Sequence, residues 1–210
     1  MRREPAGWPV VEGRAALAWG DPQTPQGRPE IGVSGHLGET GFDFLANGPP
    51  PLSLPPQDDA RFLTWSFNLD ARLPLREDVG VTLEAFHGDN LSTFLGGIGQ
   101  GVCPCTRTSV RSTGGWLDLW LVLTSVLQAR TGFGIDDPRN DDFLVGRTYN
   151  RYVYGNVTYD VTPHFRTGLE ISLWKTLYKD DRAGQIAPDL LGPSAPGEAT
   201  VFELMAQYAF

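Results

Sequence analysis

The chain has 210 residues and a formal net charge of −8, long enough for one domain with a sizeable core and too acidic for nucleic acid to be an expected partner. Its 25 Gly and 17 Pro suit many strands joined by turns better than they suit helices. The longest apolar run, Trp116 to Leu127, is interrupted by Asp118, Thr124 and Ser125 and is too short for a transmembrane helix.

The opening Met1-Arg2-Arg3-Glu4-Pro5 is basic but leads into no apolar segment of a secretion signal. That predicts either a cytoplasmic protein or a chain without its natural start. Nine stretches then follow a period of two better than one of 3.6. The first two are 10–19 and 30–38. In the third, 61–75, Leu63, Trp65, Phe67, Leu69, Ala71, Leu73 and Leu75 alternate with Thr64, Ser66, Asn68, Asp70, Arg72 and Pro74. Fifteen residues at ~3.3 Å each span roughly 50 Å, long for a soluble strand and suited to a tilted one that crosses a bilayer and projects beyond it. The fourth, 79–88, sets Val79, Val81, Leu83 and Ala85 against Gly80, Thr82, Glu84 and Phe86, and the fifth, 114–123, sets four leucines (117, 119, 121 and 123) against Trp116, Asp118, Trp120 and Val122. The sixth, seventh and eighth, at 127–136, 147–161 and 165–178, put Arg130, Asp160 and Glu170 on their polar sets.

The ninth stretch closes the chain from Ala199 to Phe210. Phe210, Tyr208, Ala206, Leu204 and Phe202 share one face, interleaved with Ala209, Gln207, Met205, Glu203 and Val201. A terminal strand ending in an aromatic ring would fray in water, whereas in a membrane barrel both its edges are held and the ring sits at the lipid boundary. The connections alternate in length. Short turns fall at Arg76-Glu77-Asp78, Thr124-Ser125-Val126 and Thr162-Pro163-His164. Long connections fall near 39–60, 89–112, 137–146 and 179–198.

Together these features predict an all-β, antiparallel up-and-down transmembrane barrel, of which about nine strands are present. A soluble β-sandwich binding module would share the alternation, with its polar face in water. Strands of such barrels are even in number with both ends periplasmic, so nine alternating strands predict a single domain over 1–210 that is the C-terminal part of a longer chain. The 20–29 connection is long where this count asks for a short one.

The chain resembles the C-terminal portion of a bacterial outer-membrane porin. The resemblance is carried by Thr-Trp-Ser-Phe-Asn-Leu-Asp-Ala-Arg at 64–72, Asn-Leu-Ser-Thr-Phe-Leu-Gly-Gly-Ile-Gly at 90–99, Gly-Gly-Trp at 114–116 and the final strand Phe202 to Phe210. It implies a place in the outer membrane of a Gram-negative cell and passive diffusion of small hydrophilic solutes through a channel. The channel would be a homotrimer of barrels of about sixteen strands. Phe202, Leu204, Tyr208 and Phe210 would form the signal read by the barrel-insertion machinery. No cofactor and no metal is implied.

If the polar sets line a lumen, its wall carries Asp70, Arg72, Glu84, Asp118, Arg130, Asp160 and Glu170, and charge on a pore wall biases which solutes pass. The connection at 89–112 is apolar and Gly-rich from Asn90 to Gly101, which fits either a constriction folded against the wall or an outer cap. Cys103-Pro104-Cys105 is too closely spaced for a zinc pair and predicts pairing with each other or outside this chain. Asp136-Asp137 and Asp141-Asp142 lack the spacing of an EF-hand loop and read as solvated charge. His36, His87 and His164 read as loop-edge or turn residues. An outer-membrane barrel enzyme would need a catalytic set at the loop side, and no Gly-Xaa-Ser-Xaa-Gly elbow occurs.

Overall fold

The structure is a computed structural model that describes residues 7–21, 23, 27–45, 54–180 and 196–209. Nine long strands form one antiparallel sheet: β1 (Val11–Ala18), β2 (Glu30–Phe44), β3 (Gln57–Pro74), β4 (Val79–Asp89), β7 (Arg111–Val122), β8 (Leu127–Pro138), β9 (Val145–Thr162), β10 (Phe165–Asp180) and β11 (Gly197–Tyr208). Each pairs with the next along the chain, and β1 and β11 are the sheet's edges. A two-stranded sheet, β5 (Val102–Cys103) with β6 (Thr108–Ser109), lies in the connection between β4 and β7, along with two 3₁₀ turns at Ser92–Phe94 and Gly97–Gly99.

All nine predicted strands are present, and several run further than the alternation of their sequence indicated. β2 continues to Phe44 and β3 begins at Gln57, so much of the expected 39–60 loop is paired strand. The reason is an inversion of pattern. Up to Leu37 the odd positions of β2 are apolar, but beyond it Glu39 and Asp43 take that face while Phe42 and Phe44 take the other. The two rings pack with Phe62 of β3, at 5.6 and 5.9 Å between centroids. The strand keeps its geometry and exchanges the chemistry of its faces. The ladder is irregular where Phe42 faces Ala60 and Phe44 faces Gln57, beside Asp59 at φ 55°.

The register aligns side chains of one kind across the whole sheet. Ile31, Ala71 and Leu83 lie in one row, Val33, Leu69 and Ala85 in another, and Leu117, Phe133 and Val153 in a third. This face is apolar and largely bare: Phe67 is 58% exposed, Leu173 56% and Leu204 86%. On β3 the apolar positions run from Leu63 to Leu73, which at ~3.3 Å per residue is about 33 Å of strand, or roughly 25 Å of height at a tilt near 40°. Charged and polar side chains bound this belt at its loop side, with His87, Arg151, Lys175 and Glu198 on the same face.

The opposite face is polar, and at four places an aromatic ring lies on it over a glycine of the facing strand. Trp120 faces Gly80, Phe86 faces Gly114, Tyr154 faces Gly132 and Tyr152 faces Gly134. At each of these glycines a Cβ would overlap the ring. The missing side chain is thus the seat of the ring, and the wall stays thin at four places that would otherwise bulge.

Replacing Gly134 by Leu should lift Tyr152 from the wall and cost about 1–3 kcal/mol as overpacking. The expected reading is a lower urea midpoint for the detergent-refolded protein. Gly13→Leu, at a site where a Cβ meets nothing, should move it far less; equal losses at the two sites would refute the seat argument.

Candidate functional site

Asp70, Arg72, Glu84, Asp118, Arg130, Asp160 and Glu170 all project from the polar face, because each occupies the same phase of its strand's register. Most of them are paired. Asp118, 2% exposed, accepts from the Tyr154 hydroxyl at 2.6 Å and from Arg130 Nη1 at 3.0 Å. Asp70 accepts from Arg14 Nε and Nη2, and Arg14 also reaches Glu30. Asp160 accepts a two-pronged bond from Arg166, a geometry that fixes orientation as well as charge. Glu170 accepts from Asn156 Nδ2 at 2.9 Å. Arg72 lies 5.4 Å from the ring centre of Trp120. Glu84, beside Asp70 on one side and Trp116 on the other, has no ion pair or hydrogen bond among the described residues.

Arg14 and Arg166 complete these pairs and were not among the residues expected from sequence. Their signal is a cross-strand one: Arg14 sits level with Ser34, next to Gly32 and Asp70, and Arg166 directly faces Asp160. His36 also lies elsewhere than expected. It is mid-strand on the polar face and 8% exposed, with Thr64 Oγ1 at 3.0 Å and Ser66 Oγ at 2.8 Å. The early end assigned to the second strand made it look like a loop-edge residue. His87 is on the apolar face, 2.7 Å from Thr113 Oγ1, and His164 lies in the β9–β10 turn.

The segment 90–101 crosses over the polar face and is tied at both ends. Near β2 and β3, Asn90 donates to Thr40 Oγ1 at 2.6 Å, its carbonyl accepts from Thr64, and Phe94 stacks on His36 at 3.7 Å. Near β8 and β9, Asp136 accepts from the Ile98 amide at 2.8 Å and from Ser112, while Arg147 donates to the Ile98 carbonyl. Gln100 exchanges two hydrogen bonds with the Arg147 backbone. Leu91 is buried beneath the segment, whereas Leu95 is 91% exposed. Segment 90–101 carries no ionisable side chain.

Beyond it, Cys103 and Cys105 form a disulfide, and Cys103 packs with Val110 and Phe143 in a buried apolar cluster. Arg111 holds Asp142 through its amide at 3.1 Å and its Nε at 2.8 Å. Asp136 and Asp142 are therefore occupied by protein donors. Among the described residues no group of acidic, His or Cys side chains is arranged to hold a metal. Phe202, Leu204 and Tyr208 lie exposed on the apolar face of β11; Phe210 falls outside the described residues.

No protein-family model matches the sequence, and no curated protein does. Among solved structures, the outer membrane channel DcaP of Acinetobacter baumannii matches with a TM-score of 0.73 at 10% identity, over 98% of this chain and 53% of that one. The fold is that of an outer-membrane channel barrel. This chain spans about half the length of the channel it matches, and its nine strands are a part of such a barrel. At that identity the likeness is one of backbone, and the side-chain arrangement above is this chain's own.

The Arg111 guanidinium holds the Asp142 carboxyl below the usual carboxylate range. The clamp is then at full strength above the ordinary carboxylate pKa of about 4 and is lost as pH falls through the lower folded value. Amide-exchange protection at 139–144 should drop between pH 6 and pH 3, after correction for intrinsic rates. In Asp142→Asn it should be weak at both.

Proposed function

We propose that this chain forms part of the wall of a water-filled channel in the bacterial outer membrane, through which small hydrophilic solutes diffuse passively. The observation that carries this reading is the coincidence on one face of the charged residues and the strapped segment, with the opposite face uniformly apolar. Lipid on the apolar face satisfies Phe67, Leu173 and Leu204, which would otherwise be a large exposed patch. Water on the other face solvates Arg14, Arg72 and Glu84.

Strand parity supports a longer wall. With nine antiparallel strands, β1 and β11 run in the same direction, so closing an all-antiparallel ring takes an odd number of further strands. We place those in the same polypeptide, as a longer porin. The apolar terminal strand with Phe202, Leu204 and Tyr208 is the segment we assign to the barrel-insertion machinery.

In this lumen, segment 90–101 acts as the constriction and the paired charges keep the wall close to neutral. Solute bias then rests on charges outside the pairs, Glu84 first among them. The test is conductance of the full-length protein in planar bilayers. Discrete potassium-conducting steps are expected, and a folded, inserted protein that passes no current would overturn the reading. Glu84→Gln should lower the potassium-over-chloride permeability ratio by roughly 1.5- to 2-fold, since one wall charge is removed without breaking a pair.

A further inference from the structure

We infer that Leu95 is an apolar sieve at the tip of segment 90–101, disfavouring bare hydrated ions relative to small organic solutes that carry a hydrocarbon group. The inference rests on the channel reading above and adds to it the chemistry of the segment proposed there as the constriction.

Three observations carry it. First, Leu95 is 91% exposed and Phe94 beside it 39%, whereas Leu91 is 2% exposed and Gly96 and Gly97 are buried. The segment rests on the wall by those residues and turns Leu95 away from it. Second, Leu95 has φ 65° and ψ 10°, in the left-handed region that a bulky side chain rarely adopts and that Gly or Asn occupies at little cost. A backbone that bends this way would ordinarily carry one of those residues, so an unburied leucine there gains nothing for folding. Outliers of this kind cluster where the side chain serves a function. Third, the segment that holds Leu95 is fixed rather than loose. Its β2 side is held by Asn90 and by the Phe94–His36 stack, and its β8–β9 side by Asp136 and Arg147. A projection from it keeps its position relative to the wall.

A charge-free tip bearing a leucine cannot replace the hydration shell of an ion, and apolar constrictions impede ions by resisting wetting. A solute with a short alkyl group meets no such barrier and gains contact with Leu95 and the half-exposed ring of Phe94. Next to Phe94, a shallow cleft lined by Ser34, His36, Asn68 and Arg14 offers hydrogen bonds to the polar end of the same solute. The tip is therefore selective by polarity as well as by width.

The experiment separates those two by three substitutions in the full-length protein, with potassium chloride conductance in planar bilayers as the first readout. The second is liposome swelling with two neutral solutes of similar size, one a sugar and the other bearing an alkyl chain. Leu95→Asn keeps the side-chain size, suits the left-handed backbone and makes the tip polar. It should raise conductance roughly twofold and lower the swelling rate of the alkyl solute relative to the sugar. Leu95→Met should leave both unchanged. Leu95→Gly, which removes the side chain and also suits the backbone, reports the effect of width. If Leu95→Gly opens the pore while Leu95→Asn behaves as the original protein, the restriction is steric and the inference is overturned. A wild-type protein that inserts but conducts nothing removes the channel reading itself.

Discussion

Asp118 meets Arg130 and Tyr154 only because β7, β8 and β9 pair in one particular register, and the same holds for every functional contact in this sheet. A side-chain period of two makes that register unforgiving. A slip of one residue between β7 and β8 would carry Arg130 and Gln128 to the lipid-facing side and set Phe133 and Ile135 among the charges. The exposed apolar belt and the ion-paired wall are therefore two results of one constraint. Each strand must satisfy its backbone donors and acceptors with its neighbours, since lipid offers no alternative partner. Once that pairing is fixed, the sorting of side chains follows.

The polar face shows how the constraint is used. Four aromatic rings would narrow the space above it, yet each lies on a glycine of the adjacent strand. Carboxylates that would repel one another across strands are set beside guanidinium groups, as with Asp70 and Arg14 or Asp160 and Arg166. What remains above this levelled surface is the segment 90–101, whose bonds run to β2, β3, β8 and β9. Relief on the wall is concentrated in one place, and that place carries no charge.

The period-two pattern made all nine strands legible, because between Leu63 and Leu75, or Leu117 and Leu123, the lipid-facing face leaves little freedom of composition. The set of charged residues on the polar face was legible for the same reason, as the other phase of those strands. Three things were not. The extensions of β2 and β3 lie above the apolar belt, where Phe42, Phe44 and Phe62 turn the pattern over and a search for continued alternation stops. The partners of the wall charges depend on register, so Arg14 and Arg166 carry no local mark of their roles, and His36 was misplaced with them. The β5–β6 hairpin has two residues per strand, too few for any period to show. The apolar, glycine-rich character of 90–101 did suggest a segment that packs inward. Its anchors at Thr40, Asp136 and Arg147 lie 38 to 50 residues from the groups they hold and could only come from the fold.

Those anchors also impose an order on assembly. His36 and Thr64 precede the segment in the chain, whereas Asp136 and Arg147 follow it, so neither flank alone can hold it. The contacts on the β2–β3 side can form once those strands have paired. The contacts on the β8–β9 side require closure of a loop that includes all of β7 and its turn, an entropic cost met only when those strands are already in place. The contacts of segment 90–101 thus reach from His36 to Arg147 along the chain, and the full set is complete only when β9 has joined β8.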